Sequence, residues 1–235
     1  DLPDEYHYFA GIQGGMVYLG HHAKKLQLIE VDLTSGDTAI RRLDIKGAGA
    51  YRFRDMQLTV RPPYFYLTDG TIPRSFRGLL KTGVASAFMP NRSYFIKQFP
   101  VSTTRFVNRL LLDSAHGQVL AVETSTGMLD IRKDLLQKQL DGQFCVEGSL
   151  SYDGSTELIT YVYRYRNSFL TMDTNLNLVA RHRTIDTNTT VKFRVATIES
   201  SNQYTLSSPP SAVNHGSSSD NGMLYIHSKL RGDNE

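Results

Sequence analysis

The chain has 235 residues, 40% of them hydrophobic and 21% charged, with a formal net charge of +3. That suffices for a core in one all-β domain or two smaller ones. The scattered positive charge argues against nucleic acid as a partner, and no apolar run approaches the ~20 residues that would span a bilayer.

Tyr, Thr and Val concentrate in short segments bounded by Gly, Asn, Asp and Pro, the pattern of half-buried strands joined by tight turns. The first four predicted strands are Tyr6–Gly11, Met16–Gly20, Leu26–Leu33 and Thr38–Ile45. In the third, Ile29, Val31 and Leu33 share one face while Glu30 and Asp32 take the other. A second set runs Asp55–Val60, Tyr64–Thr68, Phe76–Leu80 and Ala85–Met89, with Pro62-Pro63 where no ladder N–H is needed. A third runs Tyr94–Phe99, Phe106–Asp113, Gln118–Glu123 and Met128–Ile131. Asp134–Leu140 then carries the best helical signal, barely two turns with Asp134 as N-cap.

The fourth set is Gly148–Tyr152, Leu158–Tyr165, Phe169–Asp173 and Leu178–Ile185, with Asp153-Gly154 as a hairpin signal. A fifth begins at Val191–Glu199 and Met223–His227, separated by the polar Ser207–Gly222, read as a mobile insertion. Cys145 is the single cysteine and reads as a small buried apolar residue.

A phrase recurs in these sets. Gly15-Met16-Val17-Tyr18-Leu19 returns as Gly222-Met223-Leu224-Tyr225-Ile226, with Tyr64-Phe65-Tyr66-Leu67 a looser copy between them. Second strands begin near positions 16, 64, 106, 158 and 223. Intervals of about 40–65 residues with four strands each predict a β-propeller of four-stranded antiparallel blades, four complete and a fifth in part. Three accounts of the half set stand: a chain continuing beyond Glu235, closure on four blades, or two packed sheets. The first is favoured, because Arg231–Glu235 reads as a cut loop, so the single propeller-like domain over 1–235 is expected to be truncated.

Ser151-Tyr152-Asp153-Gly154-Ser155-Thr156-Glu157-Leu158-Ile159-Thr160-Tyr161 resembles the S-x-D-G-x-x-x-(I/L)-x-(Y/F) repeat of bacterial periplasmic propellers, with Ser218–Tyr225 a weaker echo. The segments Pro62–Pro73, Leu135–Gly142 and Tyr163–Asn167 resemble those of bacterial cell-envelope proteins, periplasmic or lipid-anchored, of about six-bladed propeller type. The resemblance implies residues beyond Glu235, a periplasmic or cell-surface location and room for a lipid anchor upstream of Asp1. It brings no activity and no functional residues.

Among candidate chemistries, His21-His22 reads as turn filling, since adjacent strand side chains face opposite ways. Asp55, Asp69, Asp113, Asp153 and Asp173 lie at strand starts or turns, where Asp is common; no G-x-S-x-G marks a nucleophile. The densest polar–aromatic stretch is Tyr51–Asp55 followed by Asp69–Arg77, and there Arg54, Asp69, Arg74 and Arg77 form a candidate binding rim. Guanidinium groups beside aromatic rings suit anionic or carbohydrate-like ligands, with a salt-bridged solvated rim as the bland alternative. Tyr161, Tyr163 and Tyr165 read as inter-blade packing, and Arg181-His182-Arg183 as protection of an outer edge.

The sequence therefore predicts a binding or scaffolding propeller of the cell envelope, with a protein or glycan partner and no cofactor or metal motif. A carbohydrate-active or other hydrolytic enzyme using channel carboxylates is the alternative.

Overall fold

A computed structural model describes residues 6–112, 117–198, 203–206, 211–228 and 230. Among them there is one 3-10 turn, Ala48–Ala50, and no α-helix. The fold is all-β, a β-propeller built from four-stranded antiparallel blades.

The first blade is β1 (His7–Gln13), β2 (Met16–His21), β3 (Gln27–Asp32) and β4 (Thr38–Arg42), bonded in chain order. The second contains β6 (Gln57–Arg61), β7 (Tyr64–Thr68), β8 (Arg74–Leu79) and β9 (Val84–Pro90), with the two-residue β5 (Asp44–Ile45) added beside β9. The third is β10 (Lys97–Pro100), β11 (Arg105–Leu111), β12 (Gln118–Thr124) and β13 (Leu129–Arg132). The fourth is β14 (Gly148–Asp153), β15 (Leu158–Tyr163), β16 (Ser168–Met172) and β17 (Leu178–Arg183). Two hairpins follow, β18 (Val195–Ile198) with β19 (Gln203–Leu206) and β20 (Asn214–Asp220) with β21 (Met223–Ser228).

The second strands β2, β7, β11, β15 and β21 start at 16, 64, 105, 158 and 223, so the recurring phrase marks one position in the repeat. Its cause is a turn. Gly14 and Gly15 have φ of 58° and 79°, and Asn221 and Gly222 have 49° and 76°. Positive φ at both central residues of a two-residue loop is the type I′ geometry that matches strand twist, and Gly and Asn reach it most cheaply. Met16 and Met223 are the first residues beyond it, paired with Gln13 and Asp220.

Compact unit one comprises Asp1–Asn108 and Glu123–Leu129; unit two comprises Arg109–Val122 and Asp130–Glu235. In unit one the core is one apolar cluster that includes Leu28, Leu43, Leu58, Phe65, Leu67 and Phe76. Tyr66, Met89 and Phe106 form a smaller one with Tyr64 and Phe88 against it. In unit two Val146, Ile159, Tyr161, Val162, Tyr163, Leu170 and Met172 are fully buried or nearly so. Cys145 is buried as expected, its Sγ accepting from the Gln139 and Gly142 amides.

Four local expectations need correction. The predicted strand Thr38–Ile45 breaks at Leu43, which turns fully inward, so that Asp44 and Ile45 pair in parallel with Val84 and Ala85. Asp134–Leu140 forms turns and bends rather than a helix. The Tyr163 hydroxyl accepts from the Gln137 amide and the Arg166 guanidinium donates to the Gln137 carbonyl, bonds that replace helical ones. Asp153-Gly154 is not a two-residue turn: Asp153 pairs with Leu158, and the positive φ falls on Glu157 at 54°.

The polar stretch expected to be mobile contains strand β20, while 207–210 lie outside the described residues. β20 lacks apolar alternation because hydroxyls hold it. Ser217 and Ser219 lie 2.7 Å from Ser149 and Ser151 of β14, two residues apart on each strand. Replacing Ser151 and Ser219 by Ala singly and together should reveal a coupling of about 0.5–1 kcal/mol in denaturant unfolding. Additive losses would show that the hydroxyl pair is not a bond.

Candidate functional site

The four residues of the candidate rim have different surroundings. Asp69 is buried, and its Oδ2 accepts from the amides of Arg54 (2.7 Å) and Asp55 (2.9 Å). Its Oδ1 accepts from the amide and hydroxyl of Thr71, at 2.9 and 2.7 Å. Burial opposes ionisation, but these four bonds outweigh it and hold the carboxyl below its ordinary pKa. Gly70 follows because a Cβ there would lie 1.7 Å from the Phe95 carbonyl oxygen.

Asp69 thus positions the Arg54 backbone, and the Arg54 side chain itself is exposed. Arg74 opens β8 half-buried, opposite Pro90. Arg77 is not brought to it. Three residues apart on β8, the two side chains take opposite faces, and Arg77 stacks on Phe88 at 3.8 Å and Tyr64 at 4.7 Å while donating to the Thr103 carbonyl. Asp69 and the Arg54 backbone meet, Arg74 lies at the start of β8, and Arg77 packs on the aromatic cluster.

Of the other carboxylates considered for acid–base work, Asp153 and Asp173 are engaged with main chain. Asp153 Oδ1 accepts from the Ser155 amide and hydroxyl, and its Oδ2 from the Gly222 amide at 2.6 Å. Burial raises its pKa, but these bonds prevail and lower it to about 2. Burial raises the pKa of Asp173, but the bonds from Asn177 and Asn175 prevail and hold it below its ordinary value. Asp55 is exposed, 3.8 Å from Lys25. Asp113 lies outside the described residues, as does the segment Arg231–Glu235.

Sequence reasoning missed Glu123. It is fully buried, and its Oε1 accepts from the Arg92 amide (2.7 Å) and its Oε2 from Asn108 Nδ2 (2.6 Å). Ser75, Asn91 and Gln98 continue this network. Among the described residues Glu123 is the one carboxyl pushed up, because burial outweighs the bonds it accepts. Nothing in Ala121-Val122-Glu123-Thr124 signals this, since its partners come from other strands.

The histidines behave as turn chemistry: His21 Nδ1 accepts from the Ala23 and Lys24 amides. Register sets His7 opposite His21 with ring centroids 4.9 Å apart, and no group of three metal-ligating side chains occurs among the described residues. The tyrosine stripe packs as expected. Tyr161 and Tyr163 are fully buried with rings 5.5 Å apart at 83°, and the Tyr161 hydroxyl donates to the Val146 carbonyl.

Unit two also contains a polar cleft of about 600 Å³ beside the fourth blade. Arg166, Asn167, Arg181, His182 and Arg183 line it together with Gln137 to Gln139, and no carboxylate does so among the described residues. The run Arg181–Arg183, read from sequence as edge protection, therefore faces a concavity. Register makes this wall, pairing Leu170, Phe169 and Ser168 with Arg181, His182 and Arg183.

No protein-family model matches the chain, and no curated protein matches it at a significant level. Solved structures do share its fold. A member of the duf4221 family from Bacteroides vulgatus aligns with TM-score 0.54 at 12% identity, over 80% of this chain and 63% of that one. A candidate exported protein of Bacteroides fragilis aligns with TM-score 0.54 at 11% identity, over 78% of this chain and 52% of its own length. A nidogen/laminin complex contributes a third, with TM-score 0.52 at 8% identity, over 94% of this chain and 70% of that one. The chain thus spans between half and two thirds of the two Bacteroides proteins. At these identities the likeness is one of fold.

Two outcomes follow from the geometry. Asp153 has a folded-state pKa below its unfolded value of 3.8, so its contribution is complete above about pH 5 and disappears as pH falls through about 2. Asp153→Asn should cost about 2 kcal/mol at neutral pH and unfold with a shallower pH dependence between those limits. Equal slopes for the two proteins in denaturant titrations would contradict the assignment. Arg77→Ala should lose about 1–2 kcal/mol through its ring stacking and carbonyl bond, and Arg74→Ala less than about 0.5 kcal/mol. Thermal unfolding of the two variants separates these roles.

Proposed function

We propose that the protein is a non-enzymatic binding or scaffolding propeller of the bacterial cell envelope, periplasmic or on the cell surface, of about six blades in its full form. The partner is a protein or a glycan, met at a rim formed by Arg54, whose backbone Asp69 sets, and by Arg74 at the start of β8. Arg77 supports that blade from its aromatic seat.

One observation carries the reading. Asp69 and Asp153 each accept backbone amides through both carboxylate oxygens, which leaves neither placed as a free acid or base, whereas the cationic side chains of Arg54 and Arg74 carry no such duty. The envelope assignment draws on the resemblance of the Ser151–Tyr161 repeat and on structural neighbours from Bacteroides, one of them a candidate exported protein. The presence of this fold within a nidogen/laminin complex supports its use in protein assembly.

The purified chain should cosediment with insoluble envelope material, and Arg54→Ala with Arg74→Ala should weaken that association at least about fivefold with the unfolding transition unchanged. Release of soluble sugar or another hydrolysis product, abolished by Glu123→Gln or Asp69→Asn in a folded variant, would replace this reading with an enzymatic one.

A further inference from the structure

We propose that the cleft of the fourth blade is a binding site for an anionic saccharide, whose carboxylate or phosphate is held by Arg166 and Arg181. The cleft is built from residues other than the Arg54–Arg74 rim, so it extends the binding-module reading without depending on that rim.

Among the described residues, the charge of Arg166 has no acidic partner in its immediate contacts. Arg166 is only 3% exposed, yet its contacts are the Gln137 carbonyl at 2.7 Å and the face of Tyr163 at 3.7 Å. Both are neutral. Burying a guanidinium is costly without an opposite charge, and a carbonyl and a ring meet that cost only in part. An oxyanion entering the cleft would supply the missing charge and accept from the N–H groups left over, in the forked geometry Arg offers to carboxylate and phosphate.

Arg181 is held in the same manner. One Nη donates to the Leu135 carbonyl at 3.0 Å, and the side chain lines the same cleft. Each arginine is thus fixed by a single main-chain bond, which orders the side chain before any ligand arrives and lowers the entropy lost on binding. His182 forms a third polar wall, its ring stacked on Phe169 at 4.7 Å and 19°, with Nε2 3.2 Å from the Thr171 hydroxyl.

Surrounding charge reinforces the preference. Lys138 and Arg183 also line the cleft. The neighbouring acid, Asp186, is engaged by the Thr184 hydroxyl and the Asn188 amides, and Lys192 donates to Asn188 Oδ1. A space of about 600 Å³ exceeds what a single inorganic oxyanion fills, and its polar walls suit hydroxyl groups better than hydrocarbon. An oxyanion borne on sugar units satisfies both charge and size.

Calorimetric titration of the full chain at low ionic strength with tri-galacturonate, glucose 6-phosphate and a neutral trisaccharide tests the site. Binding of either anionic probe, with the neutral sugar at least about tenfold weaker, is the expected result; the probe that binds identifies carboxylate or phosphate as the group recognised. Arg181→Gln should weaken that binding about tenfold, and Lys46→Ala, at an exposed position with no assigned role, should leave it unchanged. Because Arg166 and Arg181 also hold the 135–137 segment, Arg183→Gln on the exposed wall serves as a second variant, expected to weaken binding about threefold. Absence of binding by both anions, equal binding of the neutral sugar, or full affinity in both folded variants would overturn the site. If cosedimentation with envelope material then persisted, the cleft alone would be lost and the rim would stand.

Discussion

Charged side chains in this protein bond to main-chain atoms of neighbouring strands and loops, and this is what fastens one small sheet to the next segment. Arg41, Arg61 and Arg109 each donate to a carbonyl 39 residues ahead, those of Leu80, Pro100 and Gly148, at 2.5–2.6 Å. Asp69 and Asp153 perform the reverse task, accepting amides that approach from 14 to 69 residues away. A four-stranded blade buries too little apolar surface to stand alone, so ties of this kind decide whether the repeat is a fold or a set of loose sheets. Charge-assisted bonds to backbone groups are among the stronger hydrogen bonds, and they also satisfy carbonyls and amides that strand ladders leave unpaired.

That constraint shapes where recognition can occur. Asp69 accepts four hydrogen bonds and Asp153 three, which leaves little acceptor capacity for a substrate, and the depressed pKa of each makes it a poor proton donor at neutral pH. Glu123 differs in pKa but not in role, being fully buried within the network of Arg92, Asn108 and Gln98. The arginines divide more sharply. Arg77 is engaged by two rings and a carbonyl; Arg166 is held by one ring and one carbonyl and Arg181 by one carbonyl, beside an open cleft that no acid lines among the described residues.

The candidate rim was legible from sequence only as a composition. Tyr51–Asp55 and Asp69–Arg77 lie together as the strand pattern suggested, since the Arg54 amide meets Asp69. That Arg77 parts from Arg74 follows from strand alternation, which sends residues three apart to opposite faces, whereas its seat on Phe88 and Tyr64 is supplied by β9 and β7 and has no signature in Arg74-Ser75-Phe76-Arg77. The cleft was hidden for a related reason: Arg181–Arg183 and Arg166 belong to different segments, and the loop that completes the wall, Gln137–Gln139, read as a short helix.

Local sequence determined the strands and most of their turns. Period-2 alternation and the positive φ of Gly14, Gly15 and Gly222 are properties of neighbouring residues, so the start of the second strand of every set was placed within one residue. Tertiary structure alone decided the parallel pairing of β5 with β9, the status of Asn214–Asp220 as a strand, and the partners of Asp153 and Arg166. A polar strand such as β20 has no apolar face to announce it; its hydroxyl partners lie 68 residues earlier, and no window of neighbouring residues contains them.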